Sequence, residues 1–398
     1  MKIKEIKLKK IFDSRKEETF EIEMSSENFS VFSSVGKGKS RGSQEVTLIS
    51  SKEAPLKLES VKELILKEDF SGLKEFDQFL LSLDKTPQKQ NLGGNLTLTL
   101  SVAFAKLMAK EKGLPLFVFL REEFLKNFPE LKEEFKSFEC PYLLFNFING
   151  GSHAEVGPDF QEYLIIPFSR DPSFSLNLAE IFFAGLKEWF RKNNLKINYG
   201  DEGGLIYPEK DNEAPLKIFS IILKDLNLNY QKIRFGIDVA ASTFLKDKDK
   251  ESFLKLYRFL IKKYHLFYLE DPFPEDDFLS FSRLNKEFQK KVLICGDDLT
   301  VTNPFLIEKA IKENSINSVI IKPTQIGTLL ETFQAIYTAL KGGLKVIISH
   351  RSGETEDDFL ADLAVAVNAF GLKSGALVQK ERMVKYLRIK KISEILKK

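Results

Sequence analysis

Six apolar runs in the second half of the chain each stop on one ionisable residue, at nearly even intervals. "RFGIDVAAS" reaches Asp238, "HLFYLEDPF" Glu270, "KVLICGDDLT" Asp297, "SVIIKPTQ" Lys322, "KVIISHRSG" His350, and a shorter segment Lys373. The steps between these residues are 32, 27, 25, 28 and 23, the length of one strand, one helix and two loops. Two more apolar runs upstream, "YLLFNFINGG" and "FQEYLIIPF", bring the strands to eight. An eight-stranded α/β (TIM-like) barrel is the closure this repeat predicts, and in such a barrel the C-terminal strand ends share one mouth. The six ionisable residues are then expected to converge. The alternative, an open doubly wound sheet, has the same alternation but finds no glycine fingerprint for a dinucleotide here.

The first forty-five residues alternate apolar and polar, as in "FEIEM" and "FSVFSSV", and read as a small antiparallel sheet. Residues 59–112 show helical periodicity, with an amphipathic run from Gly94 to Lys112. The charged stretch 121–141, which ends in a proline, reads as a connection. The expected organisation is a smaller α+β domain over 1–130 and a barrel over 131–398.

Composition excludes several function classes. Lys and Arg number 60 against 57 Asp and Glu, too balanced for a nucleic-acid or membrane surface. The basic opening "MKIKEIKLKK" has no apolar segment behind it, so no secretory signal is expected. The apolar stretch at 96–109 is broken by Lys106 and is too short to span a bilayer. Two cysteines, Cys140 and Cys295, make no disulfide framework and fit a reducing, cytoplasmic setting. The 36 phenylalanines read as core, while the three histidines are scarce enough for their positions to matter.

Three carboxylates at successive strand ends, Asp238, Glu270 and Asp297, form an oxygen-rich set suited to Mg²⁺. Lys322 and Lys373 lie further round the same mouth. Near bound cations a lysine's pKa is expected to fall, which makes it a competent base. His350, Arg351 and Ser352 stand before a helix start, where Arg and a hydroxyl suit a phosphate. "NFINGGSHAE" holds His153, "DFQEYLI" holds Glu162, and the Gly-flanked "YGDEGGLIYP" holds Glu202. "VGKGKSRG" at 35–42 contains a Gly-Lys-Ser triplet, yet Ser33 occupies the position where a Walker A loop needs glycine. It is therefore not read as a P-loop.

These stretches, with "FDSR" (12–15), "LDKTPQKQNLGGN" (83–95), "SHRSGETEDDFLADLAVA" (349–366) and "LKSGA" (372–376), occur in an order that resembles the enolase family almost end to end. The resemblance implies reversible dehydration of 2-phosphoglycerate to phosphoenolpyruvate with two Mg²⁺ ions. By motif, Asp238, Glu270 and Asp297 would bind the first Mg²⁺, and Ser40 would help complete the second site. Lys322 would act as base, and Glu202, with Glu162 beside it, as acid. Arg351 and Ser352 would hold the phosphate, His350 and Lys373 would contact substrate, and His153 would close over it. A homodimer or larger ring is also implied.

The chain departs from the family pattern at Lys16-Glu17-Glu18, at Thr243, at Thr324 and in its shortened C-terminal end, which puts subunit contacts and loop behaviour in question. Lys37, Lys39 and Arg41 replace neutral residues of the family's mobile loop, three charges expected to draw in an anionic substrate. Two rivals remain at this stage: another acid-sugar lyase or racemase of the wider superfamily, and a non-catalytic surface binder displaying Lys397 and Lys398.

Overall fold

The computed structural model describes residues 1–39, 42, 44–245 and 249–397. Its first part is a three-stranded antiparallel sheet, β1 (Glu5–Phe12), β2 (Glu18–Ser25) and β3 (Ser30–Ser34), in the order β1-β2-β3. The β1–β2 turn shows how Lys16-Glu17-Glu18 is accommodated. Asp13 Oδ1 accepts from the backbone N–H of Arg15 (2.8 Å) and Glu17 (2.9 Å), and Lys16 takes a left-handed φ of 64°. A short polar side chain that bonds the backbone ahead of it stabilises such a turn.

Four helices follow: α1 (Ala54–Lys67), α2 (Leu73–Leu83), α3 (Gly94–Glu111) and α4 (Leu116–Asn127). Here the structure corrects two expectations. The run from Gly94 is helical but not amphipathic, because α3 is buried on nearly every side up to Ala109. It is wedged between the small sheet and the barrel, so both faces meet protein. The charged stretch after residue 120 is not a plain connection either. Its first part belongs to α4, where Arg121 is buried and donates to Ala366 O, to Val365 O (3.0 Å) and to Asn368 Oδ1 (2.6 Å). A buried guanidinium used this way fastens one domain to the other.

The barrel comprises β4 (Tyr142–Asn149), β5 (Glu162–Pro167), α5 (Pro172–Lys192), the two-residue β6 (Leu205–Ile206), α6 (Ala214–Asp225), β7 (Ile233–Asp238), α7 (Lys250–Tyr264), β8 (Leu266–Glu270), α8 (Phe278–Phe288), β9 (Leu293–Gly296), α9 (Pro304–Lys312), β10 (Ser318–Ile321), α10 (Leu329–Lys341), β11 (Lys345–Ser349), α11 (Phe359–Ala366), β12 (Gly371–Lys373) and α12 (Lys380–Leu396). The ring runs β4-β5-β7-β8-β9-β10-β11-β12 and closes where β12 pairs with β4, which excludes the open-sheet alternative. It departs from a uniform βα repeat at one strand. β5 is antiparallel to both β4 and β7, because the chain returns from β4 without a crossover helix. Leu144, Leu164, Ile166, Tyr268, Cys295, Ile320 and Ile347 fill the barrel interior. Among the described residues no helix is long and apolar enough to cross a membrane.

The two parts meet at Asp77 of α2, whose Oδ2 accepts from the N–H of Leu330 (2.8 Å) in the first turn of α10. Full burial pushes its carboxyl up to about 7, against hydrogen bonds that favour the anion. For an acid raised in the folded state, folding weakens as pH climbs from the unfolded value near 3.8 through about 7, then levels off. Asp77→Asn will therefore match the parent near pH 4 and exceed it near pH 8, by up to about 4 kcal/mol at 1.36 kcal/mol per pKa unit. Denaturant midpoints at the two pH values measure this; a constant difference between the variants would contradict it.

Candidate active site

The alternation of a strand places each strand-end side chain by its register. Glu162, first residue of the reversed β5, pairs with Asp238, the last of β7, which in turn pairs with Glu270, the last of β8. Reversal thus brings the beginning of β5 to the mouth where the other strands end. Asp297, Lys322 and His350 stand one residue beyond β9, β10 and β11, and Lys373 ends β12.

Lys373 organises the acids. Its Nζ lies 2.9 Å from Glu162, 3.1 Å from Asp238 and 2.8 Å from Glu270, with all four side chains buried. Lys322 Nζ contacts Asp297 Oδ2, and Gln325 Nε2 donates to Asp297 Oδ1 (3.1 Å). On the other side, His153 Nδ1 is 3.7 Å from Glu162 and 3.8 Å from Glu202, while His350 Nε2 is 3.3 Å from Glu202. One cavity of about 480 Å³, its open rim included, is lined by His153, Glu162, Glu202, Asp238, Asp297, Lys322, His350, Arg351, Ser352 and Lys373. Glu270 lies directly behind it, 0% exposed. Every candidate named from the sequence is at or beside this cavity except Ser40, which lies outside the described residues.

Two family models match the chain: "Enolase, N-terminal domain" over residues 3–120 and "Enolase, C-terminal TIM barrel domain" over 137–398. The chain belongs to the enolase family. Proteins named enolase from Sulfurisphaera tokodaii (37% identical, 98% of this chain and 95% of the relative), Archaeoglobus fulgidus (36%, 100% and 98%) and Ehrlichia ruminantium (34%, 100% and 97%) are similar to it over essentially their whole length.

In this enolase-family site the two lysines are set by the carboxylates around them. Burial lowers Lys322, but the touching Asp297 carboxylate outweighs it and the net shift is upward. Lys373 moves well upward for the same reason, with Asp238, Glu162 and Glu270 around it. Carboxylates stand closer to each ammonium than the other ammonium does, so attraction wins over like-charge repulsion. Burial and the charge of Asp238 push Glu270 up to about 8. Glu162 and Glu202 move apart: burial and the neighbouring Glu202 raise Glu162, whereas Glu202, although buried, is held low beside the two histidines and Arg382.

Several residues of the site escaped the sequence reading. Glu45 grips Arg351, with Oε2 2.8 Å from Nη1 and Oε1 3.2 Å from Nη2, and Thr324 Oγ1 accepts from the same Nη1 at 3.2 Å. Gln161 and Asp298 line the cavity, and Asp271 accepts from the N–H of Asp297 (2.9 Å) and Asp298 (2.7 Å). Gln161, Asp298 and Gln325 each adjoin or share a motif already singled out, so a signal existed. Glu45 had none.

The basic loop is also clearer. Residue 37 forms a backbone bridge with Gly353, where a Cβ would come within 2.3 Å of Asp13 Oδ2 and only glycine fits. Lys39 N–H donates to Ser352 Oγ (2.7 Å), and Lys39 Nζ donates to Asp201 (3.0 Å) and Ser152 O (2.9 Å). Lys37 pairs with Glu17 at 3.2 Å. Lys37 and Lys39 thus each pair with a protein carboxylate while remaining about half exposed. Arg41 lies outside the described residues.

Proposed function

We propose that this enolase-family chain catalyses the reversible dehydration of 2-phosphoglycerate to phosphoenolpyruvate, with Lys322 taking the C2 proton and Glu202 delivering a proton to the departing C3 hydroxyl. The observation that carries this reading is the opposition of the two groups. Lys322 follows β10 and Glu162 opens β5, four strands apart in a closed ring of eight and therefore across the mouth from each other. Glu202 joins Glu162 and His153 on the β5 side, their ligating atoms all within 4.8 Å of one another. A base on one side of a bound substrate and an acid on the other suit removal of a proton and a hydroxyl from adjacent carbons.

The donor set fits Mg²⁺. Asp238, Glu270 and Asp297 offer hard oxygens from adjacent strand ends, and Glu270 Oε1 is buried with no hydrogen-bond partner. Asp238, Glu270 and Asp297 would hold one ion, and Ser40 would contribute to a second. When bound, Mg²⁺ supplies the positive charge that a substrate carboxylate needs as its neighbouring carbon loses a proton. Enolase-superfamily sites are a standard example of a Lys or His base working with Mg²⁺.

The remaining steps belong to the chain. Asp297 holds the proton on Lys322, so neutralising Asp297 frees Lys322 to accept one. Glu162 stores the proton shared with Glu202 and lets Glu202 act as acid. Arg351, oriented by Glu45 and Thr324, and Ser352 hold the phosphate; Lys373 and His350 contact the substrate and His153 closes over it. The same reading includes a homodimer or larger ring and a cytoplasmic setting, supported by a near-balanced charge and two free, buried cysteines. The test is absorbance of phosphoenolpyruvate formation from 2-phosphoglycerate with and without Mg²⁺. Mg²⁺-dependent formation is expected; no product from 2-phosphoglycerate, with turnover of an acid sugar instead, would favour the wider superfamily.

A further inference from the structure

Arg382, on the first turn of α12, is the largest fully buried side chain among the described residues, 0% exposed. Among the described residues no carboxylate stands within ion-pairing distance of its guanidinium. Its donors go instead to the backbone of the site: Nη1 to Arg351 O (2.6 Å), and Nη2 to Ser352 O (2.6 Å) and Asp201 O (3.2 Å). Nη1 also contacts His350 Nδ1. With Nε on Gln379 Oε1 (2.9 Å) and Nη2 also on Ser14 Oγ (3.2 Å), this buried charge is satisfied by neutral acceptors, an arrangement costly to assemble for packing alone.

A guanidinium has donors and no acceptor. Nδ1 of His350 must therefore be the acceptor, and the ring, if neutral, carries its proton on Nε2. That nitrogen is buried, faces Glu202 Oε2 at 3.3 Å, and has no well-aligned hydrogen-bond partner. Gly375 (φ 74°) leaves the space for this arrangement: a Cβ there would come within 2.9 Å of Arg382 Cδ and 3.1 Å of His350 Cε1. The other charged groups facing the imidazole, Glu202 and Lys373, pull in opposite directions.

We infer that Arg382 is a positioning residue that fixes His350 as the Nε2–H tautomer, a neutral donor turned toward Glu202 and the cavity. His350 thereby supports the acid without competing with it as a second acid. The role of Glu202 rests on the function proposed above; the tautomer does not. The same guanidinium holds three carbonyls of the loops bearing Glu202, Arg351 and Ser352, so that orientation and tautomer are set by one group.

The chain has three histidines, His153, His265 and His350, which makes ¹⁵N-histidine NMR a direct test. In the unmodified protein at pH 7.5, one ring, assigned to His350 by its loss in His350→Asn, is expected to show a protonated Nε2 and an unprotonated Nδ1. An Nδ1–H tautomer, or an imidazolium, would overturn the inference with no reference to activity. Arg382→Lys keeps the charge but cannot reach the imidazole and the carbonyls at once. That variant should give a mixed tautomer at His350 while the exposed-side His265 signal stays unchanged, and turnover should fall at least tenfold with KM within threefold. An unaltered His350 pattern in folded Arg382→Lys would equally overturn it. Normal tautomer with no lyase activity in the parent would instead count against the proposed function alone.

Discussion

Lys322→Ala will lose turnover by about ten-thousand-fold, the upper range for removing a positioned general base, and will also stop exchange of the C2 proton of 2-phosphoglycerate with solvent deuterium. Glu202→Gln will lose product formation to a similar degree but keep exchange, because the proton can leave C2 without the hydroxyl departing. The split follows from their placement on opposite sides of the ring. Proton exchange by NMR and product by absorbance, run on the same samples, separate the two roles. Equal loss of exchange in both variants would contradict the assignment. Removing Lys322 leaves the buried Asp297 carboxylate without its cation, a loss of stability softened by the bond it keeps from Gln325 at 3.1 Å. The variant should remain folded.

Lys373→Met will be far more damaging to the fold. The ammonium it removes lies within 3.1 Å of Glu162, Asp238 and Glu270, and breaking a buried ion pair by deleting one partner costs about 3–5 kcal/mol. The sign with pH can be worked out. Without the cation the folded-state values of Glu162 and Glu270, already raised by burial, rise further, so stability falls as pH rises from near 4.5. The loss will therefore be larger at pH 8 than at pH 5 in denaturant titrations. A pH-independent loss would mean that Lys373 acts through packing. Millimolar Mg²⁺ should recover part of the loss at pH 8, which links the stability measurement to the cation site without using activity.

The legible part of the fold is the part that repeats. A strand that ends on an ionisable residue, six times over, marks both the barrel and its mouth, because closing the ring brings strand ends together whatever the helices do. Glu162 could not be placed that way: it begins its strand, and only the reversal of β5 brings it to the mouth. Its assignment came from the resemblance. The burial of α3 was hidden for a different reason. Apolar periodicity reports one buried face, and a helix clasped between two domains has no second, wet face to contrast with it. Glu45 and Arg382 were invisible because long-range ion and carbonyl contacts leave no local pattern. Glu45 meets Arg351 across 306 residues of chain. Charge counted along a sequence likewise does not show that Lys37 and Lys39 pair with Glu17 and Asp201.

Arg382 also donates to Ser14 Oγ at 3.2 Å, across 368 residues, and Arg15 reaches Ser352 Oγ at 3.4 Å. The loop bearing Arg351 and Ser352 is thus tied down by the β1–β2 turn and by α12 at once. During synthesis the domains form as units from the N-terminus, yet this clasp cannot form until α12, which follows the last barrel strand, has docked. Contacts this distant in sequence close late, because loop entropy must be overcome before they return anything. Assembly of the loop that carries Arg351 and Ser352 is therefore coupled to docking of α12 on the β1–β2 turn.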